Sequence, residues 1–235
     1  MTEAWIIDGT RSPRGKGKAN GSLHHLHPQE VLAQVLKALA SRNGLDTKDV
    51  DDVIMGNGNP AGDHGGCIGR MGVLAAGWPV EAPGITLNRF CGSGQQAITF
   101  AAMGIQAGHQ HVVVGGGVES MSRWPEPDGP PDFTSGNAHL RELFPLVPQG
   151  ISADLIATRE GFSRADVDGF ALASQQKAAR AIEERRFARS LFAFKNDDGS
   201  LALDRDEHPR PDTTRESLAA LGAGGRGGAD AGAGA

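Results

Sequence analysis

One short stretch of the chain brings together the residue types that nucleophilic catalysis needs. It runs from Leu87 to Ala97 and places a cysteine, Cys91, directly before the sequence Gly-Ser-Gly. An extended run precedes the cysteine, and apolar residues recur at three- and four-residue spacing after it, which predicts a strand, a tight turn and a helix. Cys91 is therefore predicted to lie at a strand-to-helix turn.

That position favours acyl transfer to the cysteine for three reasons. A sulfur near a helix N-terminus is stabilised as a thiolate by unpaired N–H groups and the helix dipole. Gly92 and Gly94 carry no side chains, so an acyl group and its carrier can approach the backbone. The amides of the turn can donate hydrogen bonds to a developing oxyanion. The alternative is a buried structural cysteine, a common role for free cysteines, but the Gly-Ser-Gly turn favours a nucleophile.

Two motifs in the chain resemble those of the thiolases, the acyl-CoA acetyltransferases. The first is Asn88–Ala97, around Cys91, and the second is Val112–Ser122, which has the sequence VVVGGGVESMS. The likeness continues through Leu221. The resemblance implies that Cys91 carries the acyl group as a thioester, that acyl-CoA and coenzyme A are the substrates, and that no metal or redox cofactor takes part.

The composition of the 235-residue chain limits its partners and its compartment. Its net charge of −5, from 23 basic and 28 acidic residues, offers no general attraction for nucleic acid or for an anionic membrane. No apolar run approaches the ~20 residues of a membrane span, and the N-terminus lacks the basic and apolar regions of a secretory signal. Two distant cysteines, Cys67 and Cys91, then indicate reduced thiols and a cytoplasmic protein. Cys67 is expected to be a small core residue.

Strands and helices are predicted to alternate over residues 4–122, which indicates βαβ units. The segment Ala4–Asp8 is expected to be a first, buried strand, Val53–Met55 a second and His111–Val114 a later one. We therefore predict an α/β, thiolase-like fold, in which residues 1–122 form an N-terminal half with a helix-covered mixed, mostly parallel sheet.

Two patterns that could indicate cofactor binding are set aside. The three glycines at 115–117 lack the spacing of a dinucleotide-binding loop, and close backbone packing beside the Cys91 turn explains them better. The histidines at 24, 25 and 27 lack a carboxylate or cysteine that would complete a metal site. We therefore predict no cofactor and no metal ligand.

Residues 123–221 begin with a proline-rich segment that has few regular signals. A plain linker is one interpretation, but the thiolase resemblance implies an irregular, α-rich loop domain that covers the substrate. Within it, Ser163 and Asp166 have the capping-box spacing of a helix start. Apolar residues from Val167 to Ile182 are expected to form a narrow buried stripe on that helix.

The segment Asp206–Ser217 resembles the part of the loop domain that contacts coenzyme A. The resemblance implies that Arg210 lies against the adenine end of coenzyme A and that Ser217 contacts its pantetheine region. Stacking of a guanidinium on a purine is a sound physical use of Arg210.

The last residues, 222–235, are mostly glycine and alanine. Such a tract cannot bury enough apolar area to offset its chain entropy, so disorder is predicted. By the resemblance, a thiolase continues with a second α/β half that supplies an Asn-Glu-Ala-Phe segment, a Gly-His-Pro segment and a second cysteine. Those groups deprotonate the nucleophile and exchange the α-proton, and His208 does not replace them. A truncation or a reading-frame accident is therefore expected.

We predict a thiolase-type acyltransferase that moves an acyl group between Cys91 and coenzyme A, by thiolysis of 3-ketoacyl-CoA or condensation of acetyl-CoA. Because the general base is missing, one alternative is a non-catalytic remnant that binds coenzyme A or pairs with another chain. A ketoacyl synthase is a second alternative, since it shares the fold and an active-site cysteine. By the resemblance, a homodimer or homotetramer is expected, because thiolases pair through their N-terminal halves.

Overall fold

The computed structural model of the chain describes residues 3–125 and 133–221. These residues fall into two compact units, the first made of 3–125 and 187–208 and the second of 133–186 and 209–221. Cys91 lies in the first unit, and Arg210 and Ser217 lie in the second.

A three-stranded parallel sheet forms the centre of the first unit. Its strands are β1 (Asp52–Gly56), β2 (Ile85–Leu87) and β3 (Val113–Gly117), in the order β2-β1-β3. β1 pairs in parallel with both neighbours, and Ile54 lies opposite Ile85 and Gly115. A parallel strand that is covered on both faces is apolar almost throughout, and β1 is accordingly buried from its second residue to its last.

Three helices cover the two faces of this sheet. They are α1 (Pro28–Asn43), α2 (Ile68–Ala75) and α3 (Ser93–Gln106). Successive side chains of a strand point to opposite faces, so Val53 and Met55 pack in one cluster with α1 and α2. Ile54 packs instead with Ala97 and Ala101 of α3. The helix that follows Cys91 therefore rests on the face of the sheet opposite α1 and α2.

The ends of α1 follow from its sequence. Pro28 occupies the first helical position, where an N–H would have no intrahelical partner, and the His27 ring accepts a hydrogen bond from the Gln29 N–H at 3.3 Å. Gly44 ends the helix in the left-handed conformation, with φ of 57°, which glycine adopts without steric strain. The sequence predicts both ends, because proline suits the first turn of a helix and glycine suits its C-cap, and the structure confirms them.

A carboxylate late in the chain anchors the loop of residues 9–21. Asp206 accepts two hydrogen bonds from the Arg11 guanidinium, at 2.7 and 2.9 Å, and one from the Arg14 N–H at 2.9 Å. Glu207 accepts further hydrogen bonds from N–H groups of the same loop. Burial raises the pKa of Asp206, but the hydrogen bonds from Arg11 and Arg14 outweigh burial, so the pKa lies below its ordinary value.

A short antiparallel pair of strands also belongs to the first unit. The strands are β4 (Phe194–Lys195) and β5 (Leu201–Leu203). Phe194 is fully buried in the same apolar cluster as α1 and α2. The segment 187–208, expected within a loop domain of residues 123–221, therefore lies in the first unit, and the domain boundaries given by the sequence stay a prediction.

The second unit is helical. Its elements are α4 (Ala138–Leu143), α5 (Gln149–Glu160), α6 (Arg164–Glu183) and α7 (Arg215–Ala219). Ser163 and Asp166 form the capping box predicted at the start of α6. The expected buried stripe on α6 is wrong, since no residue of this helix is buried in the part of the chain that the structure describes. The short α7 is the only described element that packs extensively against it.

The segment Ala4–Asp8 does not form the predicted buried strand. Trp5, Ile6 and Ile7 are 74, 84 and 78% exposed, and the segment is in no sheet of the described residues. An apolar run is buried only where another surface covers it, and no described strand lies alongside this one.

Two further expectations concern the membrane and the end of the chain. None of the helices within residues 3–125 and 133–221 has the length and apolar character that crossing a membrane requires. The predicted disorder of residues 222–235 lies outside the described residues.

Replacing Asp206 by asparagine should destabilise the first unit by about 2 kcal/mol at neutral pH, because hydrogen bonds to a charged group are lost. Since folding lowers the pKa of Asp206, its stabilising effect is present above an unfolded pKa of about 3.9 and is lost as the pH falls below that value. Urea unfolding at a series of pH values, followed by tryptophan fluorescence, measures both effects, because all three tryptophans lie in the first unit.

The matched control is Asp204→Asn, because Asp204 is a nearby exposed carboxylate. The two variants should differ most at neutral pH and should converge in acid. If Asp206→Asn were as stable as Asp204→Asn at every pH, Asp206 would not anchor the loop.

Candidate active site

Cys91 lies in a tight turn between a strand and a helix, as the sequence predicts. β2 ends at Leu87, Gly92 is the N-cap of α3, and the helix begins at Ser93. The cysteine is exposed. Its sulfur is therefore open to solvent at the start of the helix that rests on the sheet.

The residue before the nucleophile has a strained backbone. Phe90 has φ of 49°, which lies in the left-handed region that a residue with a side chain adopts at a cost of about 1–2 kcal/mol. Such conformations persist only where the surroundings enforce them, and they concentrate at functional sites. The left-handed conformation of Phe90 makes the chain turn sharply just before Cys91.

Two polar side chains enforce this conformation. The Asn88 carbonyl oxygen accepts a hydrogen bond from the Phe90 N–H at 2.8 Å. Ser93 Oγ accepts from the Arg89 N–H at 2.8 Å and donates to the Phe90 carbonyl oxygen at 2.6 Å. Ser93 is 3% exposed, so its hydroxyl does not exchange these partners for water. The Asn88 and Ser93 side chains thus close the turn from both ends.

Glycines let the start of α3 sit directly on the sheet. A Cβ at Gly56 would lie 2.3 Å from the Ser93 carbonyl carbon, and one at Gly117 would lie 2.7 Å from the Gly56 carbonyl oxygen and 3.5 Å from Gly94 Cα. No side chain fits in that space. Close backbone packing, as the sequence predicts, therefore explains two of the three glycines of β3, Gly115 against α3 and Gly117 against β1.

Two amides of the turn are used inside it. The Gly92 N–H donates to the Arg89 carbonyl oxygen at 3.1 Å, and the Ser93 N–H donates to the Phe90 carbonyl oxygen at 3.0 Å. The expectation that the turn amides serve an oxyanion is wrong for these two, because their hydrogen bonds maintain the turn. The amides of Cys91 and Gly94 remain as candidate donors.

A second layer of hydrogen bonds lies at the ends of β1 and β3. The Asn57 side chain donates to the Val118 carbonyl oxygen at 2.8 Å. Glu119 accepts two hydrogen bonds, one from the Gly58 N–H at 2.6 Å and one from the Trp124 indole N–H at 2.8 Å. These contacts join the chain after β1 to the chain after β3.

A buried histidine completes this layer. His64 is fully buried, and its Nε2 accepts a hydrogen bond from the Ser120 N–H at 2.9 Å. Since Nε2 accepts, the proton of the neutral ring is assigned to Nδ1, which has no hydrogen-bond partner among the described residues. Burial lowers the pKa of His64, while Glu119 and Asp63 act in the opposite direction. The lowered pKa favours the neutral form that can accept from Ser120.

No general base reaches the nucleophile in the described part of the chain. Within residues 3–125 and 133–221, Cys91 Sγ has no hydrogen-bond partner. The same residues contain no group of three or more histidine, cysteine, aspartate or glutamate side chains placed to hold a metal ion. Within the described residues, the site therefore presents a nucleophile on a tight turn with no side chain hydrogen-bonded to its sulfur.

The second cysteine is a natural comparison for the first. Cys67 is exposed, so the expectation of a core residue is wrong. Its backbone is left-handed, with φ of 61°, at the N-cap of α2. Its sulfur lies 3.5 Å from the Gly84 carbonyl oxygen and 3.6 Å from Thr86 Oγ1. Both cysteines thus lie exposed at the start of a helix, but only Cys67 has hydrogen-bonding neighbours among the described residues.

The sequence matches the family described as "Thiolase, N-terminal domain" over residues 4–231. The chain belongs to the thiolase family. Its α/β fold agrees with the fold that the resemblance implies. The family match does not support the alternative of a ketoacyl synthase.

Individual thiolases are similar to this chain over nearly all of its length. The beta-ketoadipyl-CoA thiolase of Pseudomonas aeruginosa is 39% identical over 237 residues, which cover 93% of this chain and 59% of the relative. The 3-oxoadipyl-CoA/3-oxo-5,6-dehydrosuberyl-CoA thiolase of Escherichia coli is 38% identical over 242 residues, with coverage of 94% and 59%. The steroid 3-ketoacyl-CoA thiolase of Mycobacterium tuberculosis is 36% identical over 234 residues, with coverage of 94% and 56%. The chain thus spans 56–59% of the length of these thiolases.

The two residues that the thiolase resemblance assigns to coenzyme A are exposed and lie in the second unit. The backbone of Arg210 is fixed, because its N–H donates to Gln175 Oε1 at 2.7 Å and its carbonyl oxygen accepts from Thr213 Oγ1 at 2.7 Å. Ser217 belongs to the capping box of α7 and exchanges hydrogen bonds with Thr214. Their roles toward coenzyme A stay a prediction.

Sequence patterns give no signal for His64 as a structural member of the site. A single histidine in a glycine-rich loop looks like a solvated residue, and only the fold shows that it is buried against Ser120. Glu119 is different, since it belongs to the second thiolase motif, but no pattern indicates what its carboxylate contacts.

Replacing Gly56 by alanine should lower the free energy of unfolding of the first unit by about 2–3 kcal/mol, which is the upper part of the range for an overpacked core. The new Cβ would lie 2.3 Å from the Ser93 backbone, so the start of α3 must move. Urea unfolding followed by tryptophan fluorescence measures the loss.

Gly9→Ala is the matched control, because a Cβ at Gly9 would meet nothing within 4 Å. Equal unfolding midpoints for the two variants would show that α3 does not rest on Gly56 as closely as described.

Proposed function

We propose that this chain is the acyl-accepting part of a thiolase, with Cys91 as the nucleophile. The Cys91 thiolate attacks the carbonyl carbon of an acyl-CoA, a new carbon–sulfur bond forms on Cys91, and the bond to the sulfur of coenzyme A breaks. Coenzyme A leaves as a thiolate and takes a proton from solvent. The acyl group remains on Cys91 as a thioester, which splits one difficult transfer into two easier steps.

The observation that carries this proposal is the exposed cysteine beside a strained, tightly held turn at the start of α3. Phe90 is left-handed, and the buried Ser93 hydroxyl fixes it. A side chain held in one orientation avoids the entropic cost of finding it during the reaction. The glycines on the far side of Cys91 leave room for the thioester to approach its sulfur.

Arg210 and Ser217 are the proposed coenzyme A contacts. The Arg210 guanidinium can stack on the adenine ring, and the fixed backbone of Arg210 lowers the cost of ordering that side chain. Ser217 Oγ accepts from the Thr214 N–H at 3.0 Å and donates to the Thr214 carbonyl oxygen at 2.9 Å. A hydroxyl oxygen has two lone pairs, so Ser217 retains one acceptor site for an amide N–H of the pantetheine arm.

The proposed acyl substrates are 3-oxoacyl-CoA thioesters and acetyl-CoA. Relatives at 36–39% identity are named as thiolases of beta-ketoadipyl-CoA, 3-oxoadipyl-CoA and steroid 3-ketoacyl-CoA. These names share a 3-oxo group on a coenzyme A thioester and differ in the rest of the acyl chain. The 3-oxo thioester is therefore the class that we assign to this chain.

Self-association belongs to the same proposal. β2 is an edge strand of the sheet, and Ile85 on it and Phe90 just beyond it are 42 and 64% exposed. Exposed apolar groups next to an unpaired strand edge favour pairing with another chain. We propose a homodimer or homotetramer in the cytoplasm.

A second candidate function is coenzyme A binding or dimerisation without turnover. One observation favours it, since Cys91 Sγ has no hydrogen-bond partner within the described residues. General base assistance is worth typically ~10²–10⁴-fold. A chain without it can be acylated slowly but should not complete thiolysis at a useful rate.

Intact-protein and peptide mass spectrometry after incubation with acetyl-CoA tests the proposal. Cys91 should be acetylated faster than Cys67, and Cys91→Ser should reduce the adduct by roughly tenfold or more, because a hydroxyl is a weaker nucleophile than a thiol. The isolated chain should not show multiple turnovers of acetoacetyl-CoA thiolysis.

Cys67→Ser is the matched control, because it removes the other exposed cysteine and should leave the Cys91 adduct unchanged. Equal acetylation of the two cysteines would remove the basis for assigning the nucleophile. Repeated turnover by the isolated chain would contradict the claim that it lacks a general base.

A further inference from the structure

Glu119 belongs to the second thiolase motif, but it has no role in the acyl transfer proposed above. It lies two residues after the end of β3 and is exposed. Both of its carboxylate oxygens are nevertheless occupied, Oε2 by the Gly58 N–H at 2.6 Å and Oε1 by the Trp124 indole N–H at 2.8 Å. Hydrogen bonds to an ionised acceptor are roughly twice as strong as neutral ones. The carboxylate therefore fixes the position of Gly58.

Gly58 lies between this carboxylate and the nucleophile turn. A Cβ built on Gly58 would lie 3.2 Å from Glu119 Oε2 and 3.4 Å from the Phe90 carbonyl oxygen. That carbonyl belongs to the strained residue before Cys91 and accepts from both the hydroxyl and the N–H of Ser93. Gly58 thus lies next to the carbonyl of the residue that orients the nucleophile, and a shift of Gly58 would change the space around that carbonyl.

The residues on either side of Glu119 are hydrogen-bonded to buried side chains. The Ser120 N–H donates to the buried His64 ring, and the Val118 carbonyl oxygen accepts from the buried Asn57 side chain. His64 and Asn57 are 0 and 1% exposed. The backbone of Glu119 is therefore fixed, and its carboxylate can act as a rigid support rather than as a flexible surface charge.

We propose that Glu119 is a positioning residue for acyl transfer, a role that rests on the function proposed for Cys91. Its carboxylate holds Gly58 against the Phe90 carbonyl and so keeps the Cys91 sulfur in the orientation that attack on a thioester needs. Glu119 acts through Gly58 and the turn, without touching the sulfur. A displacement of the reacting group by about 1 Å can slow a reaction by 10²-fold. A residue that does not touch the sulfur but fixes the turn can therefore change the acylation rate measurably.

The test compares the two cysteines of one chain in Glu119→Ala. The rate of Cys91 acetylation by acetyl-CoA and the rate of Cys91 alkylation by iodoacetamide should each fall roughly tenfold. The maximal acetylation rate should fall, while the acetyl-CoA concentration that gives half of it should not change. Alkylation of Cys67 should stay at its wild-type rate, and the thermal unfolding midpoint should remain well above the assay temperature, so that the variant is compared in its folded state.

Three further variants distinguish the effect of the Glu119 carboxylate from a general loss of surface charge and from the loss of one hydrogen bond. Glu81→Ala removes an exposed glutamate elsewhere in the first unit and should change neither rate. Trp124→Phe removes the hydrogen bond to Oε1 and replaces the indole by a smaller ring, and it should leave the rates of Cys91 acetylation and alkylation close to wild type. Glu119→Gln keeps the shape but offers one acceptor for two N–H donors, so its rates should lie between those of wild type and Glu119→Ala.

The outcomes distinguish this inference from the proposed function. A wild-type rate for Cys91 in Glu119→Ala would overturn the inference, and so would an equal change at both cysteines, which would make Glu119 a general support of the fold. If wild-type Cys91 is not acetylated at all, the proposed function fails. In that case a selective loss of Cys91 alkylation in Glu119→Ala would still show that the carboxylate positions the sulfur.

Discussion

The left-handed backbone of Phe90 is the constraint on which the rest of the candidate site depends. It costs about 1–2 kcal/mol locally, and the neighbouring structure supplies the interactions that maintain it. The Ser93 hydroxyl accepts from the Arg89 N–H and donates to the Phe90 carbonyl oxygen, and the start of α3 packs against backbone at Gly56 and Gly117. Together these interactions fix the backbone of the turn and so keep Cys91 exposed in one position.

The supports around the turn are arranged in two layers. The inner layer is the turn itself, closed by the Asn88 and Ser93 side chains. The outer layer joins the ends of β1 and β3 through Asn57, Glu119 and His64, which lie in the segments that follow these two strands. Sites whose supporting residues are themselves fixed hold their reacting groups most accurately. The outer layer is also where burial lowers the pKa of His64 and so favours its role as an acceptor.

Local patterns in the sequence predict the elements that carry their own signals. The proline and glycine at the ends of α1, the capping box of α6 and the Gly-Ser-Gly turn after Cys91 are each set by nearby residues, and all three are confirmed. The run Ala4–Asp8 has the composition of a buried strand, but burial needs a covering surface that local composition cannot supply. The contacts of His64 and Glu119 depend on residues about 60 positions away, so no local pattern reveals them.

The most direct measurement is the rate of Cys91 acetylation by acetyl-CoA in two variants of Phe90, with Cys67 alkylation as the internal reference. Phe90→Gly and Phe90→Val remove the same exposed ring, but glycine adopts the left-handed conformation without strain, whereas a β-branched residue strongly resists it. We predict that the glycine variant keeps the wild-type rate and that the valine variant loses roughly tenfold or more. Equal rates in the two variants would contradict the claim that this backbone conformation positions the nucleophile.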